Sequence, residues 1–462
     1  MTIAAVTLWG SRIAAVSIEP GGRIATFQYD PAFVRSGVQV APVYMPLRAQ
    51  PYRFPELPAD AFSGLPGLLA DALPDRWGRA LVDAWLAAQG RDESSFDVVE
   101  RLCYVGTRGM GALEFQPAHE PAAVGAQSDL QVQELVRLAN EVLTDREEFV
   151  TELVENPDEE AMKAILTVGT SAGGARPKAI IAFNEQTGQV RSGQIDAGEG
   201  FRQWLLKFDG VSPAGDHGLR DPEGWGAIEY AYSLMAHRAG IDMTECRLLE
   251  EGGRRHFMTR RFDRPDVGGK LHVQTLGALE HVSYNDPGIY SYERALLLMR
   301  KLGLDTPQIE QQFRRMIFNI VARNQDDHVK NIAFVMDRSG TWTLAPAYDI
   351  TFAYKPGNPW LDSHQMTING KRDHFTVEDL RIVERLAGLK RGRTDAILTE
   401  ARDVVMQWPA IAEHVGIDEQ TVDAIGRAHR LALPPAARHA AAAPGRGQRT
   451  QRSGSSLRYP SA

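Results

Sequence analysis

Only two cysteines stand in this 462-residue chain, Cys103 and Cys246, far apart and in no CxxC spacing, and its 12 histidines do not cluster. That scarcity excludes a disulfide framework and a structural zinc site, and it fits a reducing cytoplasm. No apolar run approaches the ~20 residues that a membrane helix requires, so no span is expected. The opening MTIAAVTLWGSRIAAVSIEP has no basic stretch ahead of its apolar part and is interrupted by Arg12, which argues against a signal peptide. Positive charge is short as well. With 51 Lys and Arg against 59 Asp and Glu, the net charge of -8 gives no broad attraction to nucleic acid or to an anionic membrane. Any contact with DNA is therefore expected to come through a basic partner. No internal repeat is visible at any period. The rest is ordinary for a soluble globular protein, at 43% apolar and 24% charged. The chain is too long for one compact core, so two or three packed units are expected.

The pattern along the chain divides it into segments. Residues 1–116 begin with short β-favouring runs (AAVTLWG, IAAVSI, IATFQYD) separated by Gly-Ser and Pro-Gly-Gly, which predict a small antiparallel sheet. LPGLLADALPDRWGRALVDAWLAAQG then has apolar residues at helix spacing and stops at a glycine. Residues 117–127, rich in Pro, Ala and Gly, read as a linker. In 128–265 the helices DLQVQELVRLANEVL and DEEAMKAIL lead to the glycine-bearing VGTSAGGARPKAIIAF, whose strand AIIAF is followed by the strand QWLLKFD and the helix GWGAIEYAYSLMAHRAG. In 266–432 come the helix SYERALLLMRKLG, the long FRRMIFNIVARNQDDHVKN, a hairpin of NIAFVMD and TWTLAPAYD about Arg338, Ser339 and Gly340, and further helices. The last stretch, 433–462, carries five arginines and no acidic residue from Pro434 on, and is expected to be a disordered basic tail.

The chemistry concentrates in Asn324-Gln-Asp326-Asp327-His328-Val329-Lys330-Asn331, followed by the hairpin and by Asp349 in PAYDIT. Phosphoryl transfer from ATP needs a carboxylate to take the proton of the attacking hydroxyl, and oxygen ligands for Mg²⁺. In protein-kinase catalytic loops the base and a metal-binding Asn stand five positions apart, and a second metal-binding Asp follows later. Asp326 and Asn331 have that separation, and the hairpin returns the chain so that Asp349 approaches the same metal. Taken singly, these residues also read as a polar loop with a capped strand end; order, spacing and intervening structure favour the catalytic reading. Asp327 either helps hold the metal or the loop, or is a solvated carboxylate, and the solvated reading is preferred. For His328, a loop-fixing hydrogen bond near the nucleotide is preferred to a role as base.

A phosphate cover is offered by Gly169-Thr-Ser171-Ala-Gly173-Gly174-Ala175-Arg176-Pro177-Lys178, through glycine backbone amides and two cations. It lacks the GK[ST] ending of a P-loop, and by itself reads equally well as a structural turn. Lys207, on the following strand, stands where a kinase strand lysine meets the α- and β-phosphates. Glu229 either pairs with Lys207 or is an exposed helix carboxylate. The segment from Met258 through Arg260, Arg261, Phe262, Asp263 and Arg264 either offers backbone to an adenine or is a charge-dense strand end.

These residues together resemble the HipA family of bacterial toxin kinases. FQYD, GLPGLLADALPDRWGR, SAGGARPKA, WLLKFDG, RRFDR, NQDDHVKN and LAPAYDIT occur in that family's order across most of the chain. The resemblance implies an α+β, protein-kinase-like two-lobed fold, with an N-terminal β-rich subdomain and a mainly helical C-terminal lobe. It also implies transfer of the ATP γ-phosphate to Ser or Thr of a protein, typically a translation component such as an aminoacyl-tRNA synthetase, with growth arrest and persistence. Position by position, Asp326 corresponds to the base, Asn331 and Asp349 to the Mg²⁺ ligands, and Lys207 to the phosphate contact. Gly173 to Lys178 correspond to the phosphate loop, Arg260 to Phe262 to the adenine contact, His328 to Asn331 with Tyr348 to the nucleotide lining, and Ser171 to an autophosphorylation site. Arg260 stands where some members have an acidic residue, and Asp327 where some have glycine. The implied partner is a HipB-like helix-turn-helix antitoxin through which DNA is met. Two alternatives remain open: an aminoglycoside-type small-molecule phosphotransferase and a degenerate, non-catalytic co-repressor.

Overall fold

The computed structural model describes residues 1–92, 95–117, 129–144, 149–151, 160–169, 176–194, 197–211 and 224–434. The linker beyond Pro117, the residues Ser171, Gly173, Gly174 and Ala175, and the tail after residue 434 lie outside the described residues.

The N-terminal β-favouring runs form strands, as expected. β1 (Thr2–Leu8) and β2 (Ser11–Ile18) join through Trp9 and Gly10, both at positive φ (51° and 80°), the backbone that a two-residue hairpin requires. β3 (Thr26–Tyr29) and the later β4 (Leu113–Gln116) complete an antiparallel sheet in the order β3-β2-β1-β4. The segment read as one helical stretch is broken in two, a one-turn helix Gly67–Ala70 and a helix Arg76–Ala88. Pro74 cannot continue a helix, and Asp75 starts a new one by accepting the Gly78 N–H at 2.8 Å. Gly67 is glycine for a local reason: a Cβ there would lie 2.1 Å from the Ala278 carbonyl oxygen.

A second, five-stranded antiparallel sheet follows, of β5 (Lys178–Asn184), β6 (Val190–Ser192), β7 (Phe201–Lys207), β8 (Cys246–Glu251) and β9 (Arg254–Arg260), in the order β6-β5-β7-β9-β8. Its core gathers Ile181, Trp204, Leu206 and Met258 with Leu135, Leu138 and Ile165 from the helices Val132–Thr144 and Glu160–Val168. Trp77, Leu81 and Ala84 of the helix Arg76–Ala88 enter the same core, so a helix placed before residue 116 builds the second unit.

The remaining unit is mainly helical. Tyr292–Lys301 and Thr306–Ala322 lead to the loop at 324–331; four helices between Val377 and Ala428 close the lobe. A small sheet of β10 (His272–Thr275), β11 (Ala333–Met336) and β12 (Trp342–Leu344) contains the anticipated hairpin. The whole is α+β and two-lobed, and the N-terminal sheet shares one continuous core with the helical lobe. Polar contacts fix that docking: Trp9 Nε1 donates to Lys270 O at 2.7 Å, Trp342 Nε1 to Gln39 O at 3.1 Å, and Gly111 N to Asp263 Oδ2 at 2.7 Å. Among the described residues no helix is long and apolar enough to cross a membrane.

Two fully buried histidines meet backbone groups of distant segments. His272 Nε2 lies 3.1 Å from Val40 O of the N-terminal unit, and His256 Nδ1 accepts the Asp209 N–H at 2.9 Å. Burial lowers each to about 4. The unfolded chain binds these protons near pH 6.5 and the folded chain does not, so the stability they contribute is present above that pH and lost as pH falls towards 4. Between pH 7 and pH 5 each histidine is expected to cost about 2 kcal/mol of stability. Urea titrations at both pH values read this directly; equal midpoints would contradict it.

Candidate active site

β5 and β7 pair so that Lys178 and Lys207 stand directly opposite one another, two like charges on one ladder. Separate carboxylates satisfy them. Lys207 Nζ lies 2.7 Å from Glu229 Oε1 and 2.5 Å from Asp349 Oδ1. Glu229 comes from the helix Trp225–Arg238, and Asp209 fixes where that helix begins by accepting the N–H of Gly224 at 3.0 Å and of Gly226 at 3.4 Å. Asp349 has its backbone in the left-handed region, at φ 57°. Burial disfavours the Lys207 ammonium, but Asp349 and Glu229 outweigh it and hold the lysine above its ordinary range. Burial likewise opposes ionisation of Asp349, and the nearby Lys207 and Arg176 reverse that, holding the carboxyl well below the carboxylate range. Glu229, almost fully buried, is pushed up by burial despite Lys207. Arg176 adds a looser cation, 3.9 Å from Glu229.

The helix Thr306–Ala322 ends at Arg323, at φ 61°, and the chain then runs extended beside residue 353: Gln325 N donates to Ala353 O at 3.0 Å. Asp326 leaves 46% of its side chain exposed, whereas the neighbouring Asp327 side chain is 2% exposed. The Asn331 amide nitrogen donates to Asp326 O at 2.8 Å, closing the loop on itself, so that the amide oxygen is the atom that could hold a metal. His328 fixes the loop: its Nδ1 accepts the Lys330 N–H at 3.2 Å, starting a single turn Val329–Asn331, while Nε2 is 4.0 Å from Asp326 Oδ1. Tyr348 donates to Lys330 O at 2.5 Å and stacks obliquely on Phe262, centroids 5.8 Å apart. Asn331, Asp349 and Tyr348 line one cavity. The amide oxygen and ionised carboxylate are the hard donors Mg²⁺ selects, and Mg²⁺ uses one or two such protein ligands with phosphate oxygens completing its shell. These two donors therefore fit a Mg²⁺ site.

A model of the HipA-like C-terminal domain matches residues 170–425, and one of the HipA N-terminal domain matches residues 4–116. The chain belongs to the HipA family. A Haemophilus influenzae protein named "Putative kinase" is 26% identical over 159 residues, 31% of this chain and 46% of that protein. The Sinorhizobium fredii protein named "Putative kinase Y4dM" is 29% identical over 140 residues, 26% of this chain and 32% of its own length. The chain thus spans less than half the length of these relatives. A chain of the Shewanella oneidensis MR-1 complex of HipA, HipB and operator DNA shares the fold, with a TM-score of 0.63 at 16% identity, covering 92% of this chain and 94% of that one.

Several residues that the HipA resemblance assigned to the nucleotide are engaged elsewhere. Arg261 is buried in ion pairs around Asp263, which also takes Arg264 at 2.5 Å, and the Arg261 N–H bonds to Gln203 O. Arg260 pairs with Asp266, and its N–H donates to Glu245 O. Val329 is buried beneath Gly277. Pro177 O accepts the Phe208 N–H, and Lys330 lies over the Tyr284 ring at 4.3 Å. Asp327, expected to be solvated, is instead buried: Oδ2 accepts from Tyr292 at 2.7 Å and His364 Nδ1 at 2.8 Å, and Oδ1 from Gln365 N at 2.8 Å. Sequence reasoning gave no role to Asp71, Asp75, Asp209, Tyr292 or His364. The aspartates lay inside motifs already quoted, but their partners are distant in sequence.

Lys178 is the clearest case. Only 2% of its side chain is exposed, and Nζ sits 2.8 Å from Asp75, 8% exposed. Burial lowers the lysine and raises the aspartate, so each depends on the other for its charge. Lys178→Met is expected to destabilise the fold by about 3–5 kcal/mol, because it leaves Asp75 buried and alone. Adding Asp75→Asn, which keeps the helix cap, should restore most of that loss in urea unfolding. Equal losses in the single and double variants would exclude the coupling.

Proposed function

We propose that this chain is an ATP- and Mg²⁺-dependent protein serine/threonine kinase of the toxin type. The observation that carries the reading is the Lys207 ammonium held between Glu229 and Asp349, with Asp326 and Asn331 joined in one adjacent loop. In this reading Asp326 orients the acceptor hydroxyl and takes its proton on a carboxylate oxygen. Lys207 holds the α- and β-phosphates, and Arg176 adds positive charge beside them. Asn331 Oδ1 and the Asp349 carboxylate hold the metal, which when bound neutralises phosphate charge. Tyr348 and Phe262 flank the adenine side, and His328 to Asn331 keep the loop in shape.

The γ-phosphate goes to Ser or Thr of a translation component such as an aminoacyl-tRNA synthetase, and growth arrest with persistence follows. A small helix-turn-helix antitoxin neutralises the enzyme and supplies the DNA contacts, in keeping with this chain's net charge of -8. The HipA, HipB and operator DNA complex that shares the fold supports that partner. Ser171 is the autophosphorylation site, where phosphate would add negative charge. The setting is the cytoplasm.

With γ-labelled ATP and a cell lysate, the wild type is expected to label one or a few proteins. Asp326→Ala should lower that rate about 10²–10⁴-fold, the range of a lost general base, and Asp349→Asn should abolish it. Label on an aminoglycoside and on no protein would replace this reading with the small-molecule phosphotransferase. Growth arrest of equal strength in wild type and Asp326→Ala would favour the non-catalytic co-repressor.

A further inference from the structure

The residue next to the proposed base has a carboxylate that no proposed catalytic step uses. Asp327 is 4% exposed, and its two oxygens take three hydrogen bonds, from the Tyr292 hydroxyl, His364 Nδ1 and the Gln365 backbone N–H. The donors come from two places far apart in sequence, the start of the helix Tyr292–Lys301 and the segment at 364–365. The network runs deeper. Asn319 Nδ2 donates to the Tyr292 hydroxyl at 3.2 Å, and Asn324 Nδ2 to Asn319 Oδ1 at 3.0 Å, so a chain of buried polar groups returns to the start of the same loop. All of these side chains are buried.

A carboxylate inside a protein is costly unless its oxygens are satisfied, and three donors aimed at it from fixed elements satisfy it in one loop geometry only. A loop slipped by one residue would bury Asp326 or His328 against those donors and turn Asp327 to solvent. In the extended stretch at 325–327, neighbouring side chains point to opposite sides, so anchoring Asp327 inward turns Asp326 outward. We propose that Asp327 is the positioning residue of the catalytic loop, with Tyr292 and His364 as its anchors, and that it fixes the direction in which Asp326 meets the acceptor hydroxyl. This rests on the proposed function for its effect on rate, but not for its effect on the loop.

The test pairs phosphotransfer kinetics with amide hydrogen exchange over residues 324–331 in wild type, Asp327→Asn and the milder Tyr292→Phe. Asp327→Asn is expected to speed loop exchange at least about tenfold and to lower kcat about 10–100-fold, the cost of a small misplacement at a reacting centre. The KM for ATP should stay within about twofold, since Lys207, Glu229 and Asp349 keep contacts that lie outside the loop. Tyr292→Phe should move kcat and exchange the same way by a smaller factor. Unchanged loop exchange in both variants overturns the proposal, as does a KM increase with kcat preserved. If the wild type transfers no phosphate, the proposed function falls, and loop exchange alone then decides: faster in the variants supports the anchor, unchanged rejects it. Should Asp327→Asn fail to fold, Tyr292→Phe carries the same readouts.

Discussion

The whole arrangement depends on one ammonium. Lys207 is 15% exposed and meets two carboxylates, one from a helix and one from the loop after a hairpin. A buried cation with so little water needs countercharge, and the countercharge it finds belongs to the other lobe as well as its own. Three independent features deliver that meeting. The β5–β7 register sets the height of the lysine on the sheet, Asp209 sets the first turn of the helix that carries Glu229, and the β11–β12 hairpin returns the chain to Asp349. Remove the lysine and the two acids face each other with only the looser Arg176 nearby, so the same contact that organises the site also clamps the lobes.

Much of this was legible in the sequence because it is local or is carried by fixed spacing. The 326-to-331 separation, the hairpin and Asp349 can be read from the chain in order, and so can several strands, marked by β-favouring runs between turn residues. β4, β6, β8 and β10 were not, since three to six residues, such as VRS in β6 and CRLLEE in β8, carry too little pattern to register as strands. The break at Pro74 was missed for a different reason: apolar spacing on either side continues in phase, and only the proline chemistry and the Asp75 cap interrupt it. Asp327 shows where single-sequence reasoning runs out. Nothing near a carboxylate in a polar loop reveals that Tyr292 and His364, each about 35 residues or more away, will close over it.

The N-terminal unit is more than an appendage. Its Trp77 and Leu81 enter the core of the five-stranded sheet, its Asp75 neutralises the lysine opposite Lys207, and its Gly111 N–H binds Asp263 where β9 gives way to the segment joining the lobes. Without Asp75, burial would drive Lys178 towards its neutral form, and the positive charge it lends to keeping Asp349 ionised would go with it. The N-terminal segment thereby keeps the Asp349 charge available for Lys207. This is a physical reason for the two segments to occur on one chain.

The backbone of Asp349 carries the same logic to its smallest scale. A residue other than glycine in the left-handed region costs on the order of 1–3 kcal/mol, and aspartate tolerates it better than most because its short polar side chain bonds locally. Glycine would relieve that strain at φ 57° without disturbing the hairpin before it. It would also delete the carboxylate that Lys207 holds at 2.5 Å. Strain retained where a strain-free residue fits sterically implies that the side chain does something the backbone alone cannot. At this position that is to present an ionised oxygen to the cavity shared with Asn331.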